Sequence, residues 1–176
     1  MQRLKAARHY DEAMHVCLRD GTTIIVRRLE PDDFDAVMQL HQRFTERETY
    51  MRFFVAHPAR LDKFMHELVE CDETQCAVGG FEAGQLIGVA NYALSSEPGL
   101  AEVAVAVAHE DHLRGVATVL LKRLGEVAIS NGIHTFTADV LVENTGMLKV
   151  ISDVGWRHTS QFDGPVLDIT IDLSGS

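Results

Sequence analysis

The stretch His109-Glu110-Asp111-His112 combines two imidazoles and two carboxylates, which are common ligands of transition-metal ions. A zinc-protease motif places two histidines four residues apart on one helix face, with a glutamate beside them. Here the histidines are three residues apart in a polar loop, and the neighbouring sequence supplies no third ligand. We therefore expect no metal, with His109 at a strand end and His112 as a polar loop residue.

The residues that follow favour a phosphate group as the ligand. A strand is predicted to end at Ala108, and a helix is predicted to begin at Gly115. The first amides of a helix have no partner within it and lie at its positive end, so they bind anions readily. Glycine lets the backbone approach closely, and Arg114 could add a charge-assisted contact. Many strand–glycine–helix junctions bind nothing, so this pattern alone leaves both interpretations open.

Alternating apolar and polar runs predict the strands that would position these residues. Three pairs of runs surround turn signals and predict hairpins over 15–30 around Asp20-Gly21, 75–94 around Glu82-Ala83-Gly84, and 156–173 around Asp163-Gly164. Two further strands are predicted over 100–108 and 134–142.

Helical spacing of apolar residues predicts the remaining elements. The first predicted helix runs from Glu30-Pro31 to Phe44, and a short second helix begins at a capping box of Thr45 and Glu48. Three more are predicted over 59–70 after Pro58, from Gly115 to Ser130, and from Asn144 to Val154. The pattern indicates one α+β domain over 15–173, with a mixed, mostly antiparallel sheet flanked by helices. We expect residues 1–14 to form an N-terminal arm.

The strand, loop and helix around Gly115 resemble motif A of the GNAT N-acetyltransferases, whose consensus is Gln/Arg-x-x-Gly-x-Gly/Ala. This chain has His112-Leu113-Arg114-Gly115-Val116-Ala117, which matches at the glycine and the final small residue but has His112 at the first position. Residues 142–156 resemble motif B, where Asn144 corresponds to an asparagine that usually contacts coenzyme A. The order of elements resembles the GNAT fold over nearly the whole chain.

Two further stretches, CLRDGTTIIVRRLEPDDFDAV and TERETYMRFF, resemble the opening of the bacterial protein lysine acetyltransferases of the Pat type. The resemblance implies acetyl-CoA as co-substrate and a protein with an exposed lysine as partner. Proteins of that type often carry a regulatory domain, and 176 residues leave no room for one. We therefore expect a catalytic domain that stands alone or has been excised.

The resemblance also implies roles for particular residues. Glu102, at the start of the cofactor strand, is expected to be the general base that takes a proton from the amine, and burial between apolar walls would raise its pKa towards the useful range. Backbone groups of the strand would bind the pantetheine arm, loop and helix amides would bind the pyrophosphate, and the motif-B asparagine would contact the cofactor. These cofactor-binding residues are Val105, Ala106, Val107, Leu113, Arg114, Gly115, Val116, Ala117, Thr118 and Asn144.

This chain differs from many GNAT enzymes at one position. Those enzymes have a tyrosine seven residues after the motif-B asparagine, and it protonates the leaving thiolate. Ile151 stands there, and Tyr50 and Tyr92 lie elsewhere. A thiol of pKa about 8.5 can leave unaided, and Pat-type sequences also lack this tyrosine. Tyr50, Phe53 and Phe54 could line an acceptor channel or simply belong to the core.

Composition limits the other possibilities. A net charge of −10 argues against a nucleic-acid partner, and no apolar run approaches the length of a membrane span, which indicates a cytoplasmic protein. Three cysteines without a CxxC pair predict free thiols. Three functions remain: a protein lysine acetyltransferase as the leading hypothesis, an acetyltransferase for a small amine, and a non-catalytic acyl-CoA sensor.

Overall fold

The computed structural model describes residues 12–56, 58–112 and 114–175, and eight strands form one sheet. Along the chain they are β1 (Met14–Cys17), β2 (Thr23–Arg28), β3 (Gln75–Glu82), β4 (Gln85–Leu94), β5 (Leu100–Val107), β6 (Thr135–Leu141), β7 (Arg157–Asp163) and β8 (Val166–Asp172). Their order in the sheet is β1-β2-β3-β4-β5-β6-β8-β7. Only β5 and β6 pair in parallel among these strands, so the predicted mixed, mostly antiparallel α+β fold is confirmed.

Five α-helices flank the sheet in the described part of the chain: α1 (Phe34–Gln42), α2 (Glu46–Phe53), α3 (Leu61–Val69), α4 (Val116–Ser130) and α5 (Thr145–Val154). Short 3₁₀ turns precede α1 at Pro31–Asp33 and follow β5 at His109–Asp111. The second turn replaces part of the predicted loop, because the Asp111 amide donates to the Ala108 carbonyl at 2.9 Å. No helix within the described ranges is long and apolar enough to cross a membrane.

The predicted hairpin turns form for local reasons. In the first, the Thr22 amide donates to Asp20 Oδ1 at 2.9 Å, and Gly21 has φ 87°. In the second, Ala83 and Gly84 have φ 47° and 83°. Two successive positive φ values give the type I′ twist that suits a two-residue hairpin, and glycine adopts them without a steric penalty.

The predicted capping box of α2 is also present. Thr45 Oγ1 accepts a hydrogen bond from the Glu48 amide at 3.2 Å, and Glu48 Oε2 accepts one from the Thr45 amide at 2.8 Å. These bonds satisfy helix-end donors and hold the Glu48 carboxylate in one orientation.

Each face of the sheet packs against its own helices. On one face, Leu120 and Leu124 of α4 pack with Ile151 of α5 over the strands. On the other face, Leu40 of α1 and Met65 of α3 are fully buried. Burying each such side chain stabilises the fold by roughly 1.5–3 kcal/mol, so the sheet is fixed between two helical layers.

The sheet opens into a fork at its middle. β5 stays paired with β4 from Ala101 to Val107, but it pairs with β6 only at Leu100, Ala101 and Glu102. From residue 103 onward β5 diverges from β6, so its backbone groups on that side have no strand partner. The fork therefore creates a strand edge inside the molecule.

The described residues begin within the predicted N-terminal arm. Residues 1–11 of the predicted N-terminal arm lie outside the described residues. β1 begins at Met14, one residue before the predicted boundary.

All three cysteines have free thiols, although the sulfur atoms of Cys71 and Cys76 lie only 3.2 Å apart.

Candidate active site

A groove of about 240 Å³ begins at the fork and runs between α4 and α5. The structure brings eight of the predicted cofactor-binding residues to its wall: Val105, Ala106, Val107, Gly115, Val116, Ala117, Thr118 and Asn144. Leu113 lies outside the described residues. Residues that are far apart in the sequence therefore line one continuous groove.

The strand side of the groove offers hydrogen-bonding groups in a line. Residues 103–107 of β5 bond to β4 on one side and leave the β6 side open. An extended chain with amide groups, such as a pantetheine arm, can pair with such an edge as an added strand would. From Glu102 to Val107 the strand spans roughly 17 Å at about 3.3 Å per residue. The edge is long enough to hold an extended arm.

The helix side offers an anion site. Gly115 is the N-cap of α4 with φ 93°, and no side chain caps this helix end. The first-turn amides of α4 therefore remain available at the positive end of the helix. Another residue at position 115 would be strained at this φ, and its Cβ would lie 3.5 Å from Arg19 Nε. The geometry suits a phosphate or pyrophosphate group.

Arg114 does not point its charge at that anion site. Its guanidinium donates to Asp20 Oδ2 at 2.7 Å and to both carboxylate oxygens of Glu82 at 2.8 Å, and it also contacts Asp111. Glu82 and the other carboxylates raise the pKa of Arg114 above its ordinary value. The side chain therefore fastens the loop to the first two hairpins, and the expected charge-assisted contact with phosphate finds no support.

Two exposed cations, rather than Arg114, line the groove. Arg19, from the β1–β2 turn, and Lys149, from α5, both line the groove, and each pairs with Asp153 at 3.0 Å. They are more than half exposed, so both can turn towards an anion. The sequence did not indicate them, because neither belongs to a recognised motif and only folding brings Arg19 and Lys149 to the same carboxylate, Asp153.

Asn144 lies where motif B predicted it, at the start of α5. Its Oδ1 accepts a hydrogen bond from the Met147 amide at 3.1 Å and so caps the helix. This bond fixes the side chain at the wall of the groove and turns its Nδ2 donor away from the helix. The asparagine can therefore both cap α5 and donate to a ligand.

Glu102 lies at the apex of the fork, as the last residue of β5 that pairs with β6. Its side chain is exposed, so it is not buried between apolar walls. The opposite end of the unpaired edge leads to the anion site. A ligand with its phosphates at α4 and its arm along β5 would present its far end near Glu102.

Arg52 is a site residue that sequence reasoning missed. It lines the groove, and its Nη2 donates to Asn91 Oδ1 at 2.6 Å. Burial lowers the pKa of Arg52 to about 10, and the nearby charge of Glu102 acts in the opposite direction. It remains a cation at neutral pH, close to the candidate base. In the sequence, Arg52 could have been noticed only as an arginine within the aromatic stretch TERETYMRFF.

The tyrosines and phenylalanines considered from the sequence do not line the groove. Tyr92 is buried with its hydroxyl accepting a bond from Asn131 Nδ2 at 2.8 Å, and burial raises the pKa of Tyr92 to about 12. Phe53 packs edge-on against Phe64 in the core, while Tyr50 and Phe54 are exposed. Ile151 is buried. None of these tyrosines is placed to protonate a leaving group.

The His109–His112 segment divides into two parts. Its acids form ion pairs, Glu110 with Arg43 at 3.0 Å and Asp111 with Arg114. Its histidines both approach Glu48 of α2. The two histidines thus connect the loop after β5 to α2, an association that sequence spacing could not show.

Comparisons with known proteins agree with this geometry. The family model described as the acetyltransferase (GNAT) domain matches residues 23–157. The curated relative "Acetyltransferase PA5475" from Pseudomonas aeruginosa is 27% identical over 146 residues, which cover 79% of this chain and 77% of the relative.

Solved structures share the architecture. The GNAT domain of PAT from S. lividans superposes with a TM-score of 0.82 at 28% identity, covering 93% of this chain and 97% of that domain. The structure of yncA from Salmonella typhimurium, solved with its cofactor acetyl-CoA, has a TM-score of 0.67 at 16% identity and covers 87% of this chain and 95% of its own. At 16% identity, the likeness to yncA shows a shared fold alone.

Proposed function

The chain belongs to the GNAT acetyltransferase family, and from this premise we propose that it transfers the acetyl group of acetyl-CoA to the ε-amino group of protein lysines. Family membership confirms the resemblance that the sequence predicted, and with it an acetyl-CoA-dependent acetyltransferase. The choice of protein lysine rests on one observation, the likeness to the S. lividans PAT domain over nearly the whole of both chains.

The co-substrate supplies an acetyl group activated as a thioester. The open edge at residues 105–107 is suited to pair with the amides of its pantetheine arm, and the first-turn amides of α4 are suited to bind its pyrophosphate. Arg19 and Lys149 would add positive charge at the phosphates, and Asn144 would donate from the opposite wall. The chain thus offers a separate contact for each part of the molecule.

The acceptor amine must lose a proton before it can attack, because a lysine with pKa about 10.4 is almost wholly protonated at neutral pH. Glu102 stands at the apex of the fork and can take that proton directly or through one water. Its exposure leaves room for a lysine side chain to approach from solvent. A strand amide near Val105 could stabilise the oxyanion that develops on the carbonyl.

The thiolate leaves without a tyrosine acid in this proposal, since Ile151 is buried at that position and Tyr92 is bonded to Asn131. A thiol with pKa about 8.5 is stable enough as an anion to depart unaided. Glu102 then holds the proton taken from the amine and can release it to solvent, and the second proton of the attacking nitrogen passes to the departing thiolate or to water.

The test is acetylation of cell-lysate proteins with isotope-labelled acetyl-CoA, followed by mass spectrometry of the modified lysines. Glu102→Gln should lower the rate of labelling by about 100-fold or more, the scale of general-base catalysis. Glu97→Gln is the matched control, because Glu97 is an exposed glutamate in the turn before β5. Equal labelling by wild type and Glu102→Gln would remove Glu102 as the base.

The same assay separates the alternatives. Thiol release with free amines but no labelled lysines would point to a small-molecule acetyltransferase. Tight binding of acetyl-CoA by calorimetry, with no turnover on any amine, would point to a sensor. Either result would overturn the proposed substrate while leaving the family assignment intact.

A further inference from the structure

Three metal-binding side chains that the proposed reaction does not use meet at the wall of the groove. Glu48 Oε1 lies 3.2 Å from His109 Nδ1 and 3.4 Å from His112 Nε2. All three ligand atoms lie within 4.8 Å of one another. We propose that Glu48, His109 and His112 form a Zn²⁺-binding site that joins α2 to the loop after β5.

The distances suit zinc. Zinc binds nitrogen and oxygen ligands at about 2.0–2.1 Å in a tetrahedron, which places neighbouring ligand atoms roughly 3.3 Å apart. Both carboxylate–imidazole distances already have this value to within about 0.1 Å. Only the two imidazoles must approach each other, and the His109 side chain is 73% exposed and can turn. Two histidines with one glutamate are also a donor set that zinc prefers over magnesium or calcium.

The carboxylate is already oriented for the ion. Glu48 Oε2 accepts hydrogen bonds from the Thr45 amide at 2.8 Å and from Thr45 Oγ1 at 3.0 Å. The capping box therefore fixes one oxygen and directs Oε1 at the two imidazoles. Ligands held by hydrogen bonds of this kind lose little freedom on binding a metal. The side chain of Glu48 is only 14% exposed, which keeps competing water away.

Neighbouring acids do not compete for the histidines. Glu110 pairs with Arg43 at 3.0 Å, and Asp111 contacts Arg114. The competing group is the Val107 carbonyl, which lies 2.9 Å from His112 Nε2. Zinc would replace this one hydrogen bond and would free the Val107 carbonyl, which belongs to the strand edge that lines the groove.

The site has an open position towards the groove. Glu48 and His112 line the groove, while His109 does not, so the ion would lie at its wall. Three protein ligands leave a fourth tetrahedral position for water or another oxygen donor. This proposal reverses the expectation from the sequence, which lacked a third ligand because Glu48 precedes His109 by 61 residues. It does not depend on which amine the protein acetylates.

The test uses the full chain without an affinity tag, stripped with a chelator and titrated with Zn²⁺ by isothermal titration calorimetry. The variants are His109→Ala, His112→Ala and Glu48→Gln, and the last keeps a side chain that can serve in the capping box. His158→Ala is the control, because His158 is an exposed histidine on the edge strand β7. Substitution by Co²⁺ reports coordination through its visible absorption.

We expect one equivalent of Zn²⁺ in the wild type and in His158→Ala, with the intense visible bands of four-coordinate Co²⁺. Each ligand variant should weaken Zn²⁺ binding by more than about 100-fold, since loss of an outer hydrogen-bond partner alone costs about 10–100-fold. Circular dichroism should be unchanged, because both histidines are exposed. No binding by the wild type, or binding unaffected by His109→Ala and His112→Ala, would overturn the proposal.

Discussion

At the scale of single residues, Arg52 has surroundings that serve catalysis better than stability. Its guanidinium is buried beside Phe53 and Phe64, and its Nε has no hydrogen-bond partner within the described residues. Burying a charge costs free energy unless the charge is paired, and this guanidinium donates to the neutral side-chain amide of Asn91. Stability alone therefore gives no reason for an arginine here, whereas a cation beside Glu102 and the reacting carbonyl would aid transfer.

We accordingly expect Arg52→Met to reduce kcat by about 100-fold, the lower end of the cost of removing one oxyanion donor. The melting temperature should stay constant or rise, because the unpartnered nitrogen is lost. Steady-state kinetics and a thermal melt measure the two effects. Arg47→Met on the same helix, where the side chain is 72% exposed, serves as the control. A parallel loss of activity and melting temperature would instead make Arg52 a structural residue.

Cys71 gives a second prediction at this scale. A hydrogen bond with the Cys76 thiol lowers the pKa of Cys71, and the Ala77 amide and Arg28 lower it further. Because the thiolate is the reactive form, alkylation should persist at lower pH than for an ordinary thiol of pKa about 8.5. Iodoacetamide rates for Cys71 against pH, followed by mass spectrometry, should show this. Cys76→Ala should raise the pH at which the alkylation rate of Cys71 reaches half its maximum. A wild-type value no lower than that of a cysteine peptide would contradict the lowered pKa of Cys71.

The limits of prediction at the residue scale come from distance along the chain. Gly115 and Asn144 were found at the groove because each belongs to a local motif. The pairing of Arg19 with Asp153 and the contact of Glu48 with His109 were missed, because the partners lie far apart along the chain. The side chain of Arg114 was misjudged because Asp20 and Glu82, which hold it, belong to distant hairpins.

At the scale of elements, helix α1 carries a buried histidine, His41. His41 is 5% exposed and is surrounded by Phe44, Phe53 and Phe64. Its Nδ1 bonds to the Val37 carbonyl at 2.9 Å, while its Nε2 has no partner in the described structure. Burial lowers the pKa of His41 to about 4, so the imidazole is neutral in the folded protein.

This lowered pKa makes the packing of α1 sensitive to acid. As the pH falls from about 6.5 to 4, the unfolded chain gains a proton at position 41 that the folded protein does not bind. The free energy of unfolding should therefore decrease by about 3 kcal/mol from this group. His41→Leu should remove that loss and change stability at pH 7 by less than about 1.5 kcal/mol.

Urea unfolding at several pH values measures this difference, with His158→Leu as an exposed control. The urea concentrations at the unfolding midpoints of wild type and His41→Leu should be similar at pH 7. Towards pH 4 the wild-type midpoint should fall below that of His41→Leu. Curves that stay parallel over the whole range would show that His41 titrates equally in both states.

Sequence patterns predicted the elements well because their signals are local. The Asp20-Gly21 turn and the Thr45–Glu48 capping box each involve residues within three positions of one another. The placement of β8 between β6 and β7, and the early end of β5–β6 pairing, depend on how distant strands pack. Alternation of polar and apolar residues does not encode either feature, so the groove itself was known only through resemblance.

At the scale of the whole molecule, the fork divides the sheet into two halves, β1–β5 and β6–β8. The α4–α5 layer and the α1–α3 layer pack on opposite faces of the sheet. Only three residues of β5 pair with β6 where the two halves of the sheet meet. A ligand that pairs with the open edge and with the end of α4 would bridge these parts, and the unfolded chain offers no such site.

Acetyl-CoA should therefore stabilise the protein by mass action. At a free concentration 100 times its Kd, binding to the folded state alone contributes about 2.7 kcal/mol. For a domain of this size that corresponds to a rise in Tm of about 5–10 °C, which differential scanning calorimetry can measure. ADP at the same concentration is the control, because it offers a pyrophosphate without a pantetheine arm. The shift with ADP should be smaller, since the edge at Val105 and Val107 stays unpaired. An equal shift with ADP would show that this strand edge contributes no binding.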